Sequence, residues 1–270
     1  KRAEGYSQVN QNELHSEQKQ KWQQTLLKYL NLTEIKTKHI LDIGTGPGFF
    51  AIILTQLGFK VTAIDYTAEM LLKAKQNANE LQVRIDFQQM NAQQLTLPSN
   101  SFDAIVTRNL TWNLPNPQTA YQEWYRVLKP NGILLNFDAN WYTHLFDEQM
   151  RKAYEQDRQS VAKAQIDDHY TCTDIDTMEK IARQVPLSAI NRPSWDKQIL
   201  NDIGFKTIEL FPKVWQQVWS DEEKLKTAIR DAIEVSFEKK AIVEEYIDGD
   251  EFSAEGITYN GKHTILTITR

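Results

Sequence analysis

Three glycines within five residues constrain this chain more than any other feature. They are Gly44, Gly46 and Gly48, and they separate a short apolar run at 40–43 from a segment with helical spacing of apolar residues. Glycines between a strand and a helix let the backbone approach a ligand closely, and a helix N-terminus offers free amide donors. The pattern therefore predicts a ligand-binding turn.

The spacing of these glycines differs from that of a dinucleotide-binding turn. Such a turn has its third glycine one place later, where Phe49 stands, so the spacing favours a ligand without a pyrophosphate. Asp65 follows Gly48 by seventeen residues and ends the next apolar run. In a doubly wound sheet a carboxylate at this position lies beside the glycine turn and accepts hydrogen bonds from both hydroxyls of a ribose.

Apolar residues along the chain alternate between strand-like runs and helical spacing, which is typical of βαβ units. We expect a doubly wound, Rossmann-like α/β fold with a mostly parallel seven-stranded sheet. The runs interpreted as strands within the α/β part are 40–43, 60–65, 84–88, 102–107, 133–138 and 205–211.

The remaining segments are expected to surround this sheet. Residues 1–220 form the predicted α/β domain, with residues 1–38 as an N-terminal helical lid and residues 140–194 as an inserted helical cap. Residues 221–270 are predicted as a helix followed by β runs joined by hairpin turns. At 270 residues the chain is longer than one ordinary domain, and this tail is the excess.

Four stretches resemble class I S-adenosylmethionine-dependent methyltransferases, of the broad group that acts on small molecules. They are residues 41–48, 61–70, 91–103 and 126–137. The resemblance implies S-adenosyl-L-methionine as cofactor, S-adenosyl-L-homocysteine as its product, and a small-molecule methyl acceptor. Methyl transfer from a sulfonium is an in-line displacement that mainly needs an aligned nucleophile and the exclusion of water.

The same resemblance implies a set of cofactor-binding residues. Asp42 would lie near the methionine amino group, Asp65 would hold the ribose hydroxyls, and Tyr66 would lie against the adenine. Asn91 stands where the family usually has an acidic residue that accepts from the adenine amino group. The full expected set is Tyr6, Asp42, Gly44, Thr45, Gly46, Gly48, Asp65, Tyr66, Met70, Asn91, Ala92, Gln93 and Asn109.

Two loops are expected to bind the methyl acceptor, because ligands of open α/β sheets bind beyond the carboxyl ends of the strands. The candidate acceptor-binding residues are Trp112, Asn113, Trp141 and Tyr142. Asp138 and His144, on the second loop, are candidates for a general base. Structural roles stay open for Trp112, as a core aromatic, and for His144.

Composition narrows the class of partner. Lys plus Arg total 31 and Asp plus Glu 36, and the net charge of −5 argues against a nucleic-acid partner. No apolar run reaches the roughly 18 residues that span a membrane, and a signal-peptide core is lacking, so we expect no membrane partner and a cytoplasmic location. The single Cys172 and the scattered histidines predict no metal site. The sequence is compatible with a homodimer.

The tail carries a second resemblance. Residues 243–253 resemble the nucleotide-hinge stretch of ATP-grasp ligases, but the magnesium-binding residues that should come next do not follow in this sequence. Two interpretations of the tail stay open. It is a structural β segment that completes the sheet, or the chain is part of a longer fusion of a methyltransferase and a ligase. Two other functions stay open: a methyltransferase-like module that binds a cofactor or a partner, and an accessory part of an ATP-dependent ligase.

Overall fold

The computed structural model describes residues 2–164, 174–190, 192–218, 253–259 and 262–269. Its elements in chain order are α1 (Arg2–His15), α2 (Gln18–Leu30), β1 (His39–Ile43), α3 (Phe49–Gln56), β2 (Lys60–Asp65), α4 (Ala68–Glu80), β3 (Asp86–Gln89), β4 (Phe102–Arg108), α5 (Pro117–Val127), β5 (Leu128–Phe137), α6 (Glu148–Ala164), α7 (Ile175–Ala182), α8 (Arg192–Ile203), α9 (Trp215–Val218), β6 (Ser253–Tyr259) and β7 (Lys262–Thr269).

A parallel sheet of five strands, in the order β3-β2-β1-β4-β5, organises the larger part of the described chain. The direction of strand addition reverses at β1, which pairs with β2 on one side and with β4 on the other. In open sheets of this kind, ligands bind beyond the carboxyl ends of the strands at such a reversal. The predicted Rossmann-like α/β fold with a parallel sheet is confirmed.

Helices cover both faces of the sheet because the side chains of a strand point alternately to opposite faces. On β1, Ile40 packs into an apolar cluster with α2 and α3, and the next residue, Leu41, packs into a second cluster with α5. Tyr121 and Trp124 on α5 are fully buried in this second cluster. The two clusters make the fold doubly wound, as the alternation of strands and helices predicts.

The predicted seven-stranded sheet is wrong for the described residues, in which five strands form the sheet. Residues 205–211, expected as a strand, pair with none of the strands that the structure describes. Their aromatic residues pack against helices instead: the ring of Phe205 lies 5.0 Å from that of Tyr125, and the ring of Phe211 lies 4.5 Å from that of Tyr29. Within 205–211 only Phe205 and Ile208 are half-buried and the other residues are exposed, so this apolar run does not form a buried strand.

Residues 1–230 and 231–270 form two separate units of the chain. In the second unit, β6 and β7 pair as an antiparallel hairpin, with Tyr259 opposite Lys262. The helix predicted at the start of the tail, over residues 222–236, lies outside the described residues, and so do residues 243–252 of the stretch 243–253 that resembles ATP-grasp ligases. Among the helices that the structure describes, none is both long and apolar enough to cross a membrane.

Candidate functional site

The glycine-rich turn joins β1 to α3 at the edge of the sheet where the carboxyl ends of the strands meet. Gly44, Gly46 and Gly48 have φ of +69°, +54° and +93°, a region that favours glycine. An added Cβ would lie 2.9 Å from the side chain of Leu110 at Gly44 and 3.2 Å from Ala74 Cβ at Gly48, but at Gly46 it would meet nothing within 4 Å. Gly46 therefore faces open space in which a ligand can approach the backbone.

The turn is held against β2 and α4 by hydrogen bonds. The amides of Gly44 and Thr45 both donate to the carbonyl of Ile64 at 2.9 Å. The side-chain amide of Asn77 on α4 donates to the carbonyl of Pro47, also at 2.9 Å. The backbone around Gly46 is thus positioned before any ligand arrives.

Asp65, at the end of β2, lies beside this turn as predicted. Its Oδ2 accepts the amide of Gly46 and its Oδ1 accepts the amide of Thr67, each at 2.9 Å. A carboxylate accepts about four hydrogen bonds in all. Two of these positions remain for donors such as the hydroxyls of a ribose.

Asp42 places a second carboxyl group beneath the turn, at the end of β1. Its residue is 2 % exposed, and its Oδ2 accepts the hydroxyl of Thr45 at 2.6 Å. Burial is the main reason that its pKa rises from 3.8 to about 7, and the negative charge of Asp65 adds to the rise. The hydrogen bonds from Thr45 and from the Ala51 backbone act in the opposite direction. Near neutral pH this buried group can therefore gain or lose a proton.

Tyr66 and Met70 border the same end of β2. The residue Tyr66 is 74 % exposed, and its carbonyl accepts the side-chain amide of Gln89 at 2.9 Å. Met70 is half-buried on the first turns of α4. The aromatic face of Tyr66 is thus open to a planar ligand beside Asp65.

The segment Asn91–Ala92–Gln93 is tied to α5 and to the loop before it. The Oδ1 of Asn91 accepts the amide of Gln93 at 2.9 Å, and the indole of Trp124 donates to the carbonyl of Ala92 at 2.9 Å. The side-chain oxygen of Gln93 accepts the amide of Asn116 at 2.6 Å. The oxygen expected to accept from an adenine thus already accepts from the Gln93 amide in an Asx turn and, at 3.5 Å, from the Gln93 side chain.

On the first of the two loops, the structure brings Trp112 and Tyr142 together, with ring centroids 5.1 Å apart. Asn109, with φ of +55°, accepts the indole of Trp112 on its carbonyl at 3.0 Å. Trp112 is buried, whereas Asn109 and the neighbouring Asn113 are exposed. The side chains of Asn109 and Asn113 are therefore accessible to a ligand at this loop.

Asp138 is 3 % exposed at its side chain, and four donors surround its carboxylate. Its Oδ1 accepts the amide of Ala139 at 2.9 Å and the indole of Trp141 at 3.2 Å. Its Oδ2 accepts the amide of Trp112 at 2.9 Å and the guanidinium of Arg192 at 3.0 Å. Burial raises the pKa of Asp138, against the influence of Arg192. All of its acceptor positions are used, which leaves none for the proton of a substrate.

Arg192 extends this arrangement into a buried network that sequence reasoning missed. Its side chain is 5 % exposed, and its Nε donates to Oδ2 of Asp196 at 3.1 Å. Asp196 also accepts the hydroxyl of Tyr121 at 2.5 Å, and that hydroxyl accepts the amide of Asn136 at 2.8 Å. The sequence could have indicated the pair of Arg192 and Asp196, because they stand at i and i+4 of a helix. It could not indicate the contact with Asp138, which is 54 residues from Arg192.

His144 contacts the helices of the predicted cap. Its ring stacks on Tyr154 of α6 at 3.9 Å between centroids, and its Nε2 lies 3.5 Å from Oε1 of Glu179 on α7. Among the residues that the structure describes, this buried Nε2 has no hydrogen-bond partner. Tyr6 lies on α1, but its side chain is outside the described residues. Within the described ranges, no group of three His, Cys, Asp or Glu residues is arranged to hold a metal ion.

Comparisons with known proteins agree with this geometry. Residues 41–136 match the family model of a methyltransferase domain. A ubiquinone biosynthesis O-methyltransferase of Coxiella burnetii is 32 % identical over 124 residues, which are 43 % of this chain and 53 % of that protein. The chain spans about half the length of the curated relatives that it matches.

Two solved structures are similar over most of the chain. One, from Methanococcus maripaludis, is provisionally described as an S-adenosyl-L-methionine-dependent methyltransferase; it has a TM-score of 0.54 and 20 % identity, and covers 77 % of this chain and 86 % of that one. A methyltransferase structure from Bacillus halodurans C-125, also provisionally described, has a TM-score of 0.51 and 19 % identity, and covers 90 % and 93 %. At these identities the two structures support the fold.

Proposed function

Because residues 41–136 match the family model of a methyltransferase domain, we propose that the protein transfers the methyl group of S-adenosyl-L-methionine to a small-molecule nucleophile. The observation that carries the proposal is the open space at Gly46, between the buried carboxyl of Asp42 and the partly used carboxylate of Asp65. The family match and the name of the Coxiella burnetii relative support a small-molecule acceptor.

The residues around the turn fit this cofactor. Gly46 leaves room for a methionyl group against the backbone, Asp65 has two acceptor positions for ribose hydroxyls, and Asp42 offers a negative charge to an ammonium group. Tyr66 presents an exposed ring to the adenine. When bound, S-adenosyl-L-methionine supplies an activated methyl group on a sulfonium. The protein then has to orient the acceptor and exclude water, and such placement lowers barriers by about 7–11 kcal/mol.

On the acceptor side, we assign Asp138 a positioning role in place of the predicted base. Its four donors join the loop of Trp112 to the loop of Trp141 and to Arg192, so it holds the loops that leave β4 and β5. His144 remains the candidate base, and the stacked ring of Tyr154 holds its imidazole in place. Help from a general base is optional when the acceptor is an amine or a thiol and is more useful for a hydroxyl.

Calorimetric titration with S-adenosyl-L-methionine, S-adenosyl-L-homocysteine and ATP tests the proposal. We expect binding of the first two and none of ATP. Transfer of labelled methyl groups to a small-molecule extract would then separate an enzyme from a module that only binds the cofactor. Lack of affinity for both sulfur compounds contradicts the proposal, and binding of ATP alone favours the ligase alternative.

Asp42 gives cofactor binding an expected pH dependence. An ammonium group beside Asp42 favours its ionised form, whereas the pKa of about 7 leaves the group largely protonated in acid. Affinity for S-adenosyl-L-homocysteine should therefore fall by up to about tenfold per pH unit below pH 7. Calorimetry between about pH 5.5 and pH 8.5 measures this slope.

The stability of the free protein should change in the opposite direction. The pKa of Asp42 is raised in the folded protein. Its contribution to the free energy of unfolding is therefore fully present below the ordinary pKa of 3.8, and it is lost as the pH rises through about 7. Asp42→Asn should raise the free energy of unfolding at pH 8 and remove the pH dependence of ligand affinity. Asp103→Asn, at the start of β4, is the control, since its carboxyl has a lowered pKa. A wild-type affinity that is constant with pH contradicts the role of Asp42.

A further inference from the structure

Helix α1 is fastened at two points beside the glycine turn. At the first, the side chain of Gln11 donates to Asn77 Oδ1 at 3.2 Å, and Asn77 itself donates to the carbonyl of Pro47 in the turn at 2.9 Å. At the second, Arg108 donates through both terminal nitrogens to the carboxylate of Glu13, at 3.0 Å and 2.6 Å. These contacts join α1 to the glycine turn and to the end of β4.

The two points lie on different neighbours of the turn. Asn77 belongs to α4, which packs against the turn through Ala74. Arg108 is the last residue of β4, which pairs with β1 and ends at the same edge of the sheet. Helix α1, which is hydrogen-bonded to both, therefore lies beside the place where β1 leads into the turn. For α1 to move away from the turn, the contact between Glu13 and Arg108 has to break.

The pair of Glu13 and Arg108 is better placed than a surface ion pair. The side chains are 8 % and 27 % exposed, and the contact is bidentate, which adds direction to the charge interaction. The guanidinium carbon also lies 4.9 Å, 5.3 Å and 5.8 Å from the ring centres of Trp22, Phe49 and Phe50. Because these rings belong to α2 and α3, Arg108 is held in place independently of α1.

Helix α1 depends on such contacts for its order. Gly5, Asn10 and Asn12 are poor helix formers, and the helix has low amphipathic character. Leu14 is the one hydrophobic residue buried among the α1 side chains that the structure describes. Loss of the ion pair would therefore release much of what holds the helix.

We propose that Arg108 is a positioning residue that latches α1 beside the glycine turn through Glu13, and that this latch controls how fast a bound nucleoside thioether leaves. The inference rests on the proposed function, because it places S-adenosyl-L-homocysteine in the space at Gly46. The latch retains product and cofactor until α1 moves, and the aromatic rings keep Arg108 ready to bind Glu13 again.

Dissociation of S-adenosyl-L-homocysteine, followed by stopped-flow displacement, tests the latch. Arg108→Met and Glu13→Gln should each speed dissociation about tenfold, the effect of losing one charged hydrogen-bonded contact. Arg108→Lys, which keeps the charge but loses the two-pronged geometry, should lie between wild type and Arg108→Met. Arg151→Met is the matched control, because it breaks the exposed pair of Arg151 and Glu155 on α6.

Two further readouts separate a latch from a general structural role. The double variant of Glu13→Gln with Arg108→Met should dissociate the ligand no faster than the faster single variant, since both changes remove one contact. Hydrogen exchange in the ligand-free protein should speed up across residues 2–15 and stay unchanged in α5. Glu13→Gln alone decides the question should Arg108→Met fail to fold, since it leaves Arg108 among its rings.

The outcomes are distinguishable from those of the proposed function. Wild-type protein that binds the ligand, together with variants that release it within twofold of the wild-type rate, overturns the latch alone. Wild-type protein that binds no S-adenosyl-L-homocysteine overturns the proposed function, and exchange across residues 2–15 then still tests whether Glu13 and Arg108 hold α1.

Discussion

Replacement of Asp65 by alanine is expected to weaken binding of S-adenosyl-L-homocysteine about 100-fold while the protein stays folded. The change removes an ionised acceptor for two ribose hydroxyls, and hydrogen bonds to charged groups contribute about 1.5–3 kcal/mol each. The turn loses the contacts of Asp65 with the amides of Gly46 and Thr67, both near the surface, so the change should lower the free energy of unfolding by about 1–2 kcal/mol. Calorimetry and thermal unfolding measure the two effects separately.

Two variants serve as controls for this prediction. Asp65→Asn keeps one oxygen acceptor and should lose less affinity than Asp65→Ala. Asp86→Ala removes a carboxylate from the opposite edge of the sheet, at the start of β3, where its Oδ2 accepts the hydroxyl of Thr62. Affinity should be unaffected by that change. A folded Asp65→Ala protein with wild-type affinity would rule out the assigned ribose contact.

Replacement of Arg192 by methionine should lower the free energy of unfolding by about 3–5 kcal/mol at neutral pH. Methionine preserves much of the volume, but it leaves the carboxylates of Asp138 and Asp196 buried without their positive partner. Urea denaturation at pH 7 measures the loss. Arg151→Met, on the exposed face of α6, should change stability by less than about 0.5 kcal/mol.

The loss at Arg192 should depend on pH in a defined direction. Burial already raises the pKa of Asp138, and removal of Arg192 raises it further. A raised folded pKa means that stability is present in acid and is lost as the pH rises. The deficit of Arg192→Met should therefore shrink toward pH 4, and Asp138→Asn added to it should recover part of the loss at pH 7. Equal deficits at both pH values would mean that the buried charge is not its cause.

The parts of the site that sequence reasoning predicted depend on local signals. Positive φ at Gly44, Gly46 and Gly48 can be anticipated because a residue with a Cβ rarely adopts it, whereas glycine does so easily. The position of Asp65 follows from the length of one βα unit. The alternation of strands and helices could be predicted for the same reason, because the spacing of apolar residues within each element shows which of its residues are buried.

Contacts between distant segments could not be read in this way. Glu13 and Arg108 are 95 residues apart, and no spacing of residues in the sequence indicates that they are in contact. The partners of Asp138 are likewise set by how α8 returns to the sheet, so a carboxylate that looks suited to proton transfer in the sequence has every acceptor position filled. Hydrogen-bond capacity is a property of the packed site, and residue type reports only its upper limit.

The position of β1 in the middle of the sheet divides the site into two stretches of chain that can change separately. The glycine turn, the carboxyl groups of Asp42 and Asp65 and the ring of Tyr66 come from residues before 94, whereas the loops held by Asp138 come from residues after 108. Chimeras that exchange the segments after β4 between proteins of this fold should therefore alter which molecule is accepted while the donor half stays intact. In this arrangement, new acceptors become accessible to evolution through recombination at a single boundary.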